Sequence, residues 1–130
     1  MTLQTLIWLC GLHSLAFGAF HLAFWKLFDW PRSLQATTLA NRAIIQILNL
    51  RLTWVFAAMG AALLAWPAEV TGTRLGHALL GFLCAFWIGR TVEQVVFLRV
   101  DRLMVHALTL LFALGALLAG IAWWQAAFAG

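Results

Sequence analysis

Charge is what this chain has least of. Of its 130 residues, 9% are Asp, Glu, Lys or Arg, while 65% belong to the apolar set. An ordinary soluble domain carries about a quarter charged residues. So few charges cannot cover a water-facing surface. That excludes a soluble globular protein, a disordered tail and a nucleic-acid-binding module. The net charge of +4 does not reverse the last exclusion, because the basic residues gather at the ends of apolar runs. There they read as orientation signals and lipid-headgroup contacts. The chain has a single lysine, Lys26, at a segment end, which removes a mid-membrane Schiff base. Its two cysteines, Cys10 and Cys84, lie inside apolar runs, where a free thiol behaves as a small hydrophobe, and no disulfide is expected. There is no Ser-His-Asp set, no phosphate-cradling glycine loop and no zinc-type Cys/His cluster. An intramembrane isomerase or hydrolase using Glu93 and a histidine as acid and base has no motif behind it. The reading therefore leans away from an enzyme.

What is present is a succession of apolar runs long enough to span a bilayer, which needs about 20 residues each. Four are expected, at about 3–24, 43–66, 75–98 and 103–128, forming one all-α transmembrane domain over 1–130, an antiparallel up-down four-helix bundle. The breaks have chemical reasons. Pro31 biases its neighbour away from helix in Asp29-Trp30-Pro31-Arg32. Trp66-Pro67 ends the second run, and Arg99-Val100-Asp101-Arg102 is a charged hairpin. The first run has no Lys or Arg ahead of its apolar core and is too long for a signal peptide. The absence of period-two alternation excludes a β-barrel. The stretch 26–41 is too apolar for a free loop and is expected to lie along the membrane surface as a short helix.

Counting Lys and Arg orients the chain. Lys26, Arg32, Arg42, Arg99 and Arg102 fall on one side and Arg74 on the other. Five against one places the two longer-charged connections in the cytoplasm and both termini outside. Tryptophans near the run ends, such as Trp8, Trp25, Trp30, Trp66, Trp123 and Trp124, suit the headgroup belts. Trp54 and Trp87 fall mid-span and are assigned to packing.

The informative residues are polar ones inside the apolar runs. An ionisable group at the bilayer centre costs roughly 2.5–3.5 kcal/mol on insertion scales, so unpaired ones are disfavoured. Counting inward at about 1.5 Å per residue gives about 9 Å for His21 and Glu93, about 10 Å for Asn49, about 6 Å for Gln46 and His106, and about 13 Å for Arg90. All four runs thus contribute to one slab on the cytoplasmic half. Ile7, Gly11, Ser14, Gly18, His21 and Trp25 form one helical stripe. His106, Thr109, Ala113, Ala116 and Gly120 form another. Small residues let membrane helices approach, so both stripes are expected to face other helices, with His21 near His106. A cytoplasm-facing pocket of His21, Gln46, Asn49, Arg90, Glu93, Gln94 and His106 follows.

Several readings compete for that layer. Arg90 and Glu93, one turn apart, form an allowed ion pair that serves structure alone if it ties the third run to Asn49 or Gln46. As a functional group, the layer suits a proton relay or a pocket for a polar, lipid-borne ligand, since histidine exchanges protons near neutrality. An arginine there suits an anionic headgroup or a quinone carbonyl. The runner-up is a redox subunit: His21 and His106 as ligands of b-type haem, or with Glu93 as a two-His-one-carboxylate metal set. No HxxxH, ExxH or CxxCH spacing supports it. A third reading is a small accessory subunit packing against a larger membrane complex or its own copies. Arg51 reads as a snorkelling side chain, and His13 and His77 as structural histidines.

The runs His21-Leu-Ala-Phe-Trp-Lys-Leu-Phe-Asp-Trp30, Asn41-Arg-Ala-Ile-Ile-Gln-Ile-Leu-Asn49 and Phe86-Trp-Ile-Gly-Arg-Thr-Val-Glu-Gln94 resemble a family of small four-helix bacterial membrane proteins of uncharacterised activity. The resemblance implies a bacterial inner-membrane location. It brings no activity, cofactor or catalytic residue.

Overall fold

In the computed structural model, which describes residues 1–128, the chain is all-helical, with no strand among the described residues. The elements are α1 (Leu3–Leu22), α2 (Phe24–Leu27), α3 (Trp30–Ser33), a 3-10 turn (Leu34–Ala36), α4 (Leu39–Ala65), α5 (Pro67–Gly72), α6 (Arg74–Phe97) and α7 (Leu103–Phe128). Helices α1, α4, α6 and α7 have 20, 27, 24 and 26 residues and are long and apolar enough to cross a membrane. Contacts divide the chain into two compact units, residues 11–62 and residues 1–10 with 63–130.

In the 11–62 unit, the later part of α1 packs on α4. A Cβ on Gly60 would come within 2.6 Å of Leu15 Cγ and 2.8 Å of the Gly11 carbonyl, so only glycine permits this approach. Gly18 stands one step further along, where a Cβ would make ordinary contact with Phe56 at 3.4 Å. The stripe Gly11, Ser14 and Gly18 is buried as expected. The connection differs from expectation. Instead of one surface helix over 26–41 it is two single-turn helices and a 3-10 turn, because Asp29 adopts a left-handed φ of 46° that breaks the ladder. Helix α4 starts at Leu39, earlier than the expected 43. The Thr38 hydroxyl accepts the Asn41 N–H at 3.3 Å and caps it.

In the other unit, α6 and α7 pack along their length. Gly81 lies against Trp123, Cys84 against Gly120, and Trp87 stacks on Phe112 with centroids 5.9 Å apart. The buried positions of α6 are Gly76, Leu80, Leu83, Trp87 and Gln94. Those of α7 are Val105, Phe112, Gly115, Ala119 and Ala122. Both sets follow the alternating three- and four-residue steps of a coiled-coil seam. Of the expected α7 stripe, Ala116 and Gly120 do meet α6, at Cys84, while His106 and Ala113 are exposed and the fully buried positions run one residue away. Trp87 is 1% exposed, as its packing role requires, whereas Trp54 is 66% exposed and packs against little of its own chain.

Before α6, Pro67 opens the short α5 at the helical position that tolerates it. Gly76 admits the Val70 backbone so closely that a Cβ would collide with it. His77 donates from Nε2 to the Thr71 carbonyl at 2.7 Å, which makes it structural. Thr73 caps α6 by accepting the Gly76 N–H at 3.0 Å.

Candidate functional site

The seven residues of the expected polar layer divide between the two units. His21, Gln46 and Asn49 lie in the 11–62 unit; Arg90, Glu93, Gln94 and His106 lie in the other.

His21 ends α1. Its Nδ1–H donates to the Phe17 carbonyl at 2.7 Å, and its ring stacks on Phe24 at 4.5 Å and tilts against Phe56 at 5.2 Å. Carbonyls in the last turn of a helix lack intrahelical donors. The His21 carbonyl finds one in the Asn49 Nδ2, 2.9 Å away. Gln46 does similar work nearby. Its Nε2 donates to the Arg42 carbonyl and its Oε1 accepts the Trp25 indole N–H at 3.0 Å. Both amides thereby tie the end of α1 and its following turn to α4. Asn49 Oδ1 is buried without a hydrogen bond, a milder deficit than an unmet donor, since under-satisfied carbonyls are the commoner exception.

On α6, Arg90 does not form the ion pair with Glu93 that the spacing allows. Among the described residues, the ion pairs within 4.0 Å are Arg32–Asp29 and His106–Asp101. The Arg90 Nη2 donates instead to Gln94 Oε1 at 2.9 Å, and its guanidinium carbon sits 4.4 Å from the centroid of Phe112. Gln94, four residues on, shares the buried seam, while Glu93 falls about 100° round the helix and is exposed. An amide oxygen and an aromatic face replace the carboxylate as the surroundings of the cation.

His106 is likewise turned outward. Its Nε2–H donates to Asp101 Oδ1 at 2.8 Å, in a pair that is largely solvent-accessible. Among the described residues no group of three His, Cys, Asp or Glu side chains is placed to hold a metal ion.

Where α6 ends and α7 begins there is a cavity of about 360 Å³, whose polar lining is Gln94, Arg99, Asp101, His106 and Thr109. Val95, Leu98 and Val105 wall its apolar side. Gln94 is 2% exposed, and its Nε2 is a buried donor without any hydrogen-bond partner. Of the expected residues, the structure thus brings Gln94 and His106 to one cavity and sets Arg90 behind Gln94. Arg99, Asp101 and Thr109 were not among them. The sequence signal for Asp101 was its place just before α7, five residues from His106. The two arginines of that hairpin carried an orientation reading that hid any further role. A second cavity, of about 270 Å³, is lined by Leu3, Gln4, Pro67, Ala68 and Thr71 and presents no charged group.

Comparison of the chain with protein-family models, curated proteins and solved structures finds no match.

Proposed function

We propose that the chain is a non-enzymatic, multi-pass protein of a bacterial inner membrane. Its four long helices cross the bilayer as an antiparallel bundle with both termini outside, and it binds a polar or amphiphilic ligand in the cavity at the cytoplasmic ends of α6 and α7. The helix lengths and the broad exposed apolar faces support insertion. The five-to-one distribution of Lys and Arg supports the orientation. The observation that carries the binding role is Gln94: a buried amide donor with no partner, on a cavity of a size typical for small ligands. A buried donor left unmet costs about 1–3 kcal/mol, and an incoming acceptor would recover it.

The test is labelling of Thr109→Cys in a chain whose Cys10 and Cys84 are replaced by alanine. A membrane-impermeant maleimide should modify it in inside-out vesicles and not in right-side-out ones. Labelling from the outer side overturns the orientation, and labelling from neither side overturns the open cavity.

A further inference from the structure

We infer that the cavity at the junction of α6 and α7 takes an anionic phosphate group, the chemistry shared by an acidic phospholipid headgroup and the free phosphate ion. The inference rests on reading that cavity as a binding site, and it names the ligand.

Three features of the lining point the same way. Gln94 has its amide orientation set from behind: Oε1 accepts from Arg90 at 2.9 Å, so Nε2 carries the two hydrogens that nothing among the described residues accepts. Arg99 is steadied by donation from Nε to the Val95 carbonyl at 3.3 Å. Its Nη groups remain to form the fork that meets two oxygens of one anion. Asp101, the acidic residue of the lining, has Oδ1 engaged by His106, so the opposing charge is partly satisfied locally. The buried unmet group of the site is therefore a donor, with one cation beside it. A tetrahedral phosphate offers several oxygens to donors on separate residues. A bare ion fills little of about 360 Å³; the apolar wall of Leu98 and Val105 suits the glycerol end of a lipid. A polar residue in a helix–helix seam also fixes register, and that role alone makes no demand on a ligand.

The experiment uses the full chain in a neutral maltoside detergent. Protection of Thr109→Cys from maleimide, in the Cys10→Ala, Cys84→Ala background, is titrated with dihexanoyl-phosphatidylglycerol, dihexanoyl-phosphatidylcholine and inorganic phosphate. The acidic lipid should protect at a concentration about tenfold lower than the zwitterionic one, the loss expected when one charge-assisted contact is removed. Arg99→Gln and Gln94→Glu should each raise that concentration about tenfold. Gln94→Glu keeps an oxygen for Arg90, so its thermal midpoint should hold while binding falls. Inorganic phosphate protecting as well as the lipid would keep the phosphate and overturn the lipid as its source. Equal protection by both lipids, unchanged in either variant, overturns the anion. Free labelling that no probe blocks leaves an open cavity and removes this ligand class; no labelling at all removes the cavity reading with it.

Discussion

The pairing of α1 with α4 and the pairing of α6 with α7 solve one problem in two ways. Both carry amides within apolar helices, where an unmet polar group is expensive. In the 11–62 unit the amide donors meet backbone carbonyls, the Asn49 Nδ2 on His21 and the Gln46 Nε2 on Arg42. Those bonds are interior bracing. In the α6–α7 pair the Gln94 amide spends its oxygen on Arg90 and keeps its nitrogen unpaired beside a cavity. Polarity inside an apolar run is thus no measure of function by itself.

The contrast can be broken most sharply at the two mid-span tryptophans. Trp87→Ala removes a ring stacked in the α6–α7 seam and should lower stability by about 3–5 kcal/mol, read from unfolding midpoints in mixed detergent. Trp54→Ala, on the exposed face of α4, should change the same midpoint by under about 0.5 kcal/mol. Equal effects would mean that Trp54 is covered by something outside its own chain. Next in size is Gly60→Val, which forces a side chain into Leu15 and the Gly11 carbonyl and should cost about 1–3 kcal/mol. Gly89→Ala, where a Cβ meets nothing within 4 Å, should instead stabilise by about 0.5–1 kcal/mol through helix propensity. Asn49→Ala should cost about 0.6–1.7 kcal/mol, the range of membrane interhelical hydrogen bonds, and should leave phosphate protection at Thr109→Cys untouched. A loss of protection would tie the 11–62 unit to ligand binding. The smallest effect is expected for Asp101→Asn: the pair with His106 is exposed, and exposed pairs contribute little, so the unfolding midpoint should not move.

The stripe of α1 was legible because Gly11, Ser14 and Gly18 stand out against large neighbours and mark one face. On α7 the apolar residues run all round the helix, so composition carries no phase. The choice of His106, Thr109, Ala113, Ala116 and Gly120 caught the end that meets Cys84 and missed the fully buried positions by one residue. The seam is set by Phe112, which has to meet Trp87. Depth counting gives each polar residue a level along its own helix and carries no rotation about the axis. It could not tell that Gln94 faces the seam while Glu93 faces out, since a single helical step of about 100° decides that. Nor could charge spacing choose between Glu93 and Gln94 as the partner of Arg90. Both are within one turn, and burial settles it.

Composition alone determined that this chain is built of long apolar helices. Too few charges to dress a water-facing surface is a property of the whole chain and needs no geometry. Run length and proline placement determined their number, because a helix meets its own backbone polar groups and proline removes one of those donors. Tertiary packing decided the rest. Which amide braces and which is left with an open donor depends on the rotation of each helix about its axis. That rotation is set by a few large side chains finding each other, Trp87 against Phe112 above all, and no list of residues in order contains it.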